Sequence, residues 1–180
     1  MSDLPTAAAQ PTPIPADDLH RHLTVVHADD GSLPHLSVAG DTYTILLTSE
    51  DTAGRYCLID MHIPPGGGPP PHRHDFEESF TILDGEIEVT FRGATSVASA
   101  GQIINVPANA PHSFRNASAQ PARLLCICAP SGQEGFFKEV GVPVASRTAA
   151  PPQPDAAAQA AFRAKAEALA PRFRTELLGP

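Results

Sequence analysis

From Val38 onward the chain alternates short β-rich runs with turns that are rich in glycine and proline. Asp84-Gly85 lies between two such runs and predicts a β-hairpin. In the run that follows it, apolar and polar residues alternate, as on a strand with one buried face. Many short strands at close spacing predict an all-β sandwich or barrel. The predicted strands are residues 42–47, 55–63, 78–83, 86–91, 95–98, 103–106, 112–115 and 123–129.

The two ends of the chain have different patterns. Residues 1–16 are rich in proline and alanine without periodicity, which predicts a flexible N-terminal tail. The barrel is assigned to residues 17–145, a proline-rich linker to 146–154 and a C-terminal helical segment to 155–180. The helical segment has an apolar stripe. The stripe either packs on the barrel or a second subunit, which is the simpler interpretation, or forms a lid over the barrel mouth.

The stretch from 66 to 85 carries the candidate chemistry. A Gly/Pro loop leads into His72 and His74, which share one face of an extended strand. On a regular strand Glu78, Phe80 and Ile82 share that face as well. Two imidazoles and a carboxylate on one face are typical metal ligands.

A second stretch, from 101 to 116, contains a short strand, a proline-rich turn and a strand that begins at His112. The two stretches resemble the two sequence motifs of the cupin superfamily. Asn109 stands where the second motif has a glycine, and asparagine tolerates the left-handed backbone better than most residues. The positions that match are Gly66, His72, His74, Glu78 and Gly85 in the first motif, and Gly101, Pro107, His112 and Asn116 in the second.

The resemblance implies a double-stranded β-helix, the jelly-roll barrel of cupins, here with a C-terminal α-helical extension. It also implies one metal ion held by His72, His74, Glu78 and His112. Less specific segments on either side of the barrel look like the small single-domain cupins of quercetin dioxygenase type. For such a protein the resemblance implies cleavage of a flavonol-like substrate by O2, with Glu78 acting as both metal ligand and catalytic base.

Three neutral imidazoles and one carboxylate suit a divalent first-row metal with positions left for substrate or water. The ligand set does not choose among iron, manganese, nickel, cobalt, copper and zinc. It is also compatible with a redox-neutral cupin enzyme, such as an isomerase, lyase or decarboxylase, and with a non-enzymatic cupin that binds a small molecule. Measuring turnover with and without oxygen distinguishes the O2-dependent cleavage from the redox-neutral reaction.

The alternation of side chains along a strand selects candidates for the substrate pocket, and the sequence around a second His-x-His pair argues against a ligand role for it. Phe80, Ile82 and Phe114 share parity with ligands on their own strands and are the candidates for an apolar, substrate-binding wall. His20 and His22 also form a His-x-His sequence, but no Gly/Pro loop precedes them and no carboxylate follows at the motif spacing. We therefore interpret them as exposed residues without a ligand role.

Charge and composition exclude some classes of binding partner. The net charge is −8 without a basic run, which argues against nucleic acid or an anionic membrane as a partner. Cys126 and Cys128 are expected to be small buried residues and not a disulfide, and a reducing cytoplasm is the expected location of the protein. The expected partners are a small-molecule substrate and a second copy of the chain. The homodimer is expected to form through β-strand edges or the N-terminal segment, because a jelly roll leaves strand edges that need cover and members of the resembled family commonly form homodimers.

Overall fold

Two antiparallel sheets, in a computed structural model that describes residues 13–179, enclose one core. Ile59 of the larger sheet and Ile87 of the smaller one are both fully buried in it. The strands are β1 (His35–Val38), β2 (Asp41–Leu47), β3 (Cys57–Ile63), β4 (His72–His74), β5 (Glu77–Asp84), β6 (Glu86–Phe91), β7 (Ala94–Ser99), β8 (Ile103–Val106), β9 (His112–Arg115), β10 (Ala122–Ala129), β11 (Val142–Pro143) and β12 (Thr175–Leu177). The helices are α1 (Ser49–Thr52), α2 (Gln133–Val140) and α3 (Ala156–Leu169), followed by a 3-10 helix (Ala170–Phe173).

The sheets have the strand order of a jelly roll with long crossovers. The larger sheet runs β11-β1-β2-β3-β10-β5-β8, and the smaller one runs β12-β4-β9-β6-β7. In both sheets, strands that are not consecutive in the sequence lie side by side, so each sheet is built from distant segments of the chain. The all-β barrel with a C-terminal helix that the sequence predicted is therefore the observed fold class.

The predicted hairpin at Asp84-Gly85 is wrong. The strands on either side of it lie in different sheets, so the turn carries the chain from one sheet to the other. Gly85 has φ +72°, and a side chain there would press on the backbone at Pro121 and Ala122, which explains why glycine occupies this crossover. The hairpin forms instead at Arg92-Gly93, where both residues have positive φ, as a type I′ turn between β6 and β7 requires.

The N-terminal part of the described chain has no regular secondary structure. Residues 1–12 of the predicted N-terminal tail lie outside the described residues. Residues 13–34 form neither helix nor strand, and Ile14 and Leu23 are more than 90% exposed. Of the helices within 13–179, none combines the length and the apolar character that a membrane crossing needs.

The C-terminal segment is helical only in its first part. Asp155 caps α3 by accepting a hydrogen bond from the Ala158 N–H at 2.8 Å, as a helix N-cap does. The α-helix ends before Pro171, since proline lacks the N–H that a helix interior needs. The chain then forms β12, so Leu177, which lies within the predicted helical segment 155–180, is on a strand.

Candidate metal centre

Three strands bring the four predicted ligands together. His72 and His74 lie on β4, and His112 lies on the neighbouring strand β9 directly opposite His72. Glu78 comes from β5 in the other sheet and meets the histidines across the barrel interior. All four side chains are buried, and one ligand atom of each lies within 4.8 Å of those of the others.

The strand β4 is held on both edges. The Gly/Pro loop before it passes so close to β9 that a side chain at Gly68, which has φ +130°, would collide with the Phe114 carbonyl. On its other edge β12 pairs with β4, and Thr175 lies opposite His74. An Arg73–Glu176 ion pair of 2.5 Å crosses the same two strands. The two histidines of β4 are therefore fixed by residues far away in the sequence.

Each histidine is oriented by a backbone carbonyl. In all three rings Nδ1 lies within hydrogen-bond distance of a carbonyl oxygen two residues away, so Nδ1–H is the donor. The lone pair of each ring is then on Nε2, which leaves it free to bind a metal. The three contacts are His72 to Pro70 (2.9 Å), His74 to Phe76 (2.9 Å) and His112 to Ala110 (3.0 Å).

The donor set fits a cation. Glu78 Oε2 lies 3.0 Å from His74 Nε2 and 3.2 Å from His112 Nε2. With Nδ1–H donated to the backbone, these contacts bring two nitrogen lone pairs against a carboxylate oxygen. Such an arrangement is unfavourable unless positive charge, either a proton or a metal ion, lies among the three atoms. Three imidazoles and a carboxylate are ligands of borderline divalent metals.

Burial and the neighbouring groups shift the protonation of this cluster. Burial lowers the pKa of His72 to about 4, so this ring is neutral near pH 7. Burial opposes the charge of Glu78, but hydrogen bonds from His112 and His74, which need a proton on each Nε2, outweigh it and hold the pKa of the carboxyl well below its usual range. Burial also opposes the charge of His112, but the contact with Glu78 is stronger and raises the pKa of that ring. The carboxylate is thus ionised at neutral pH.

The second oxygen of Glu78 faces two thiols. Cys126 Sγ lies 3.3 Å and Cys128 Sγ 3.6 Å from Glu78 Oε1, and both cysteines are fully buried. Burial raises the pKa of Cys126 to about 12, so its thiol is protonated and donates to the carboxylate. The sequence analysis predicted buried, reduced cysteines but not this contact. It follows from β10 lying beside β5 in the sheet, which the sequence does not reveal.

A cavity of about 360 Å³ opens onto the cluster through His72 and Glu78. Its walls are mostly apolar and come from both sheets, from α2, and from the C-terminal segment. Its apolar lining includes Met61, Phe80, Phe136, Phe137, Phe162, Ala166 and Leu177. The C-terminal segment therefore packs on the barrel, as the simpler interpretation of its stripe predicted, and it supplies part of the cavity wall.

The remaining predicted residues occupy different places. Among the candidates for the substrate-binding wall, Phe80 lines the cavity, whereas Ile82 and Phe114 lie in the core, with the Phe114 ring 5.3 Å from that of Phe80. His20 and His22 lie on the exposed segment that precedes the barrel. Phe80 is accordingly the strongest of the three candidates for substrate contact.

Comparison with known proteins agrees with this architecture. Residues 59–128 match the model of the cupin domain family. Quercetin 2,3-dioxygenase of Bacillus subtilis is 24% identical over 124 residues, which cover 63% of this chain and 36% of that protein. Polyketide synthase CurC of Streptomyces cyaneus is 31% identical over 100 residues, which cover 54% of this chain and 64% of that protein. This chain thus spans less than two thirds of either relative.

A solved structure has the same fold over a larger share of the chain. The polyketide cyclase RemF from Streptomyces resistomycificus superposes with a TM-score of 0.54 at 23% identity. The superposition covers 72% of this chain and 88% of the cyclase. At this identity the likeness concerns the fold.

Proposed function

Given that residues 59–128 form a cupin domain, we propose that the protein is a metal-dependent enzyme that acts on a small enolic or phenolic compound. The first candidate reaction is O2-dependent cleavage of a flavonol-like ring. The observation that carries the proposal is the pairing of a buried donor set, three histidines and one glutamate, with an apolar cavity that ends at His72 and Glu78. A cavity of about 360 Å³ lies within the range of small-molecule sites.

Each part of the site has a role in such a reaction. A divalent first-row cation held by the four ligands supplies Lewis acidity to a substrate oxygen. Glu78 is ionised at neutral pH and lines the cavity, so it can accept the proton of an enolic or phenolic hydroxyl. Phe80, Phe136 and Phe162 present aromatic faces or edges to a flat ring and exclude water from it.

A redox-neutral reaction of a similar substrate is the second candidate. The similarity to polyketide synthase CurC, which has the higher identity of the two relatives, supports a polyketide-like substrate. Polarisation of a carbonyl and proton transfer by Glu78 would then suffice, with no need for oxygen. The two candidates share the site and differ in whether O2 is consumed.

The test measures metal content and oxygen uptake on the same sample with a flavonol substrate. Glu78→Gln keeps the size of the side chain and one ligand oxygen but loses the basic carboxylate. We expect it to retain much of its metal and to lose turnover by roughly 10²-fold or more, the usual scale for a general base. The matched control is Glu77→Gln, because the Glu77 side chain is exposed and contacts Asn105 and the Ala108 N–H on the outside of the barrel.

The outcomes separate the candidates. A metal-replete Glu78→Gln protein that consumes oxygen at the wild-type rate refutes the base role. Anaerobic conversion of substrate by the wild type, without oxygen uptake, favours the redox-neutral reaction. Binding without conversion under either atmosphere leaves a cupin that only binds a small molecule.

A further inference from the structure

All three cysteines of the chain lie on the side of Glu78 that faces away from the histidines. Cys126 and Cys128 share one face of β10, and their Sγ atoms are 3.7 Å apart. Cys57 lies on β3 directly opposite Cys128. All three are fully buried. The barrel interior therefore contains a thiol-rich cluster next to the histidine ligands, and Glu78 belongs to both groups.

The distances within this cluster match a tetrahedral metal site. With metal–sulfur bonds of about 2.3 Å and metal–oxygen bonds of about 2.0–2.2 Å, two thiolates lie roughly 3.8 Å apart and each lies roughly 3.5 Å from the oxygen. The observed separations are 3.7 Å between the sulfurs, and 3.3 and 3.6 Å from Glu78 Oε1 to Cys126 and Cys128. The three separations are therefore those of three ligands at the corners of a tetrahedron around one cation.

We propose that Cys126, Cys128 and Glu78 Oε1 form a second metal position, which takes a thiophilic d10 cation such as Zn²⁺ or Cd²⁺. On binding, each of the two thiols releases its proton to solvent and its sulfur becomes a thiolate ligand. Thiolates select soft cations, whereas the imidazole-rich side of Glu78 suits borderline ones. Glu78 contacts both thiols and also lines the cavity.

The two positions are coupled through Glu78. Its Oε2 faces His74 and His112, and its Oε1 faces the thiols, so one carboxylate serves both sides. A cation among the thiols draws the negative charge of Glu78 toward itself and places a second positive charge near the histidine position. Zinc or cadmium bound there should therefore weaken the binding of a metal at the histidines.

The test uses cadmium with the full chain, because Cd²⁺ bound to thiolates has a ligand-to-metal charge-transfer absorption in the ultraviolet. We expect the wild type to show this absorption and His74→Ala to keep it. The double variant Cys126→Ser/Cys128→Ser should lose most of it, even though its hydroxyls can still donate to Glu78. Cys57→Ser should keep it, because two thiols and Glu78 Oε1 remain.

The wild-type spectrum alone can overturn the proposal. If saturating cadmium binds, as metal analysis after gel filtration shows, but no thiolate absorption develops, the thiols are only hydrogen-bond donors to Glu78. Absorption that persists in a folded double-serine variant overturns it equally, because the sulfur ligand would then be elsewhere. Neither result depends on enzymatic turnover, so failure here leaves the proposed function standing.

Discussion

Asp41 should make the stability of this protein fall as pH rises. The carboxyl is 1% exposed, the Tyr43 hydroxyl donates to its Oδ2 at 3.0 Å, and its Oδ1 has no hydrogen-bond partner among the described residues. Burial is the main cause that raises the pKa of Asp41 to about 7 from its ordinary 3.8, against hydrogen bonding that favours the charged form. Asp41→Asn removes the titration and keeps the shape.

The direction in which the free energy of unfolding changes with pH depends on which state, folded or unfolded, binds the proton. Between about pH 4 and pH 7 the folded protein keeps Asp41 protonated, while the unfolded chain has released that proton. The folded state therefore binds more protons, and the free energy of unfolding decreases with pH over this window. A pKa difference of about three units corresponds to about 4 kcal/mol at most, since each unit is worth about 1.4 kcal/mol. Above about pH 7 the contribution is constant.

Urea denaturation at a series of pH values measures the effect. The asparagine amide does not titrate, so the unfolding free energy of Asp41→Asn, relative to wild type, should rise by up to about 4 kcal/mol between pH 4 and pH 7. Every other group is shared, so the difference isolates Asp41. Asp17→Asn, on the exposed N-terminal segment, should leave the profile unchanged. Parallel profiles for wild type and Asp41→Asn would refute the reasoning.

Three further predictions concern the ligands, the cavity and the surface. Metal content after dialysis should fall sharply in His74→Ala and stay at the wild-type level in His22→Ala, and equal losses would contradict the ligand assignment. Phe162→Ala removes an aromatic wall of the cavity, so substrate KM should rise several-fold with bound metal unchanged, and an unchanged KM would place the substrate elsewhere. The apolar side chains exposed along residues 13–26 should be covered in a homodimer, and sedimentation that shows only monomer at micromolar concentration would refute this.

Strand positions could be predicted because alternation and turn residues are local signals. The predicted strands agree with the observed ones to within about two residues. The pairing of strands is not local, and there the sequence analysis failed at Asp84-Gly85, where a hairpin signal marks a crossover between sheets. A glycine in a turn indicates how the backbone bends there, but it does not indicate to which sheet the next strand belongs.

The prediction of the ligand set was also right in which residues come together and wrong in the placement of one of them. His72, His74 and Glu78 were expected on one face of one strand, but the chain bends after His74 and Glu78 enters from the opposite sheet. The four groups still meet, because β4, β5 and β9 all turn those side chains toward the interior. The thiols beside Glu78 and the strand β12 beside β4 had no motif to signal them, since each depends on pairing between distant segments.

The C-terminal wall of the cavity has a consequence for how new activities could be produced in this scaffold. Most residues that line the cavity lie outside the matched segment 59–128, and several belong to α3 and β12. The ligands of the candidate metal centre, in contrast, all lie inside it. Exchanging residues 155–179 between relatives would thus change which molecules fit while the ligand residues stay the same. Because β12 also pairs with the edge of β4, such a chimera must keep the backbone pairing of these two strands to keep His72 and His74 in place.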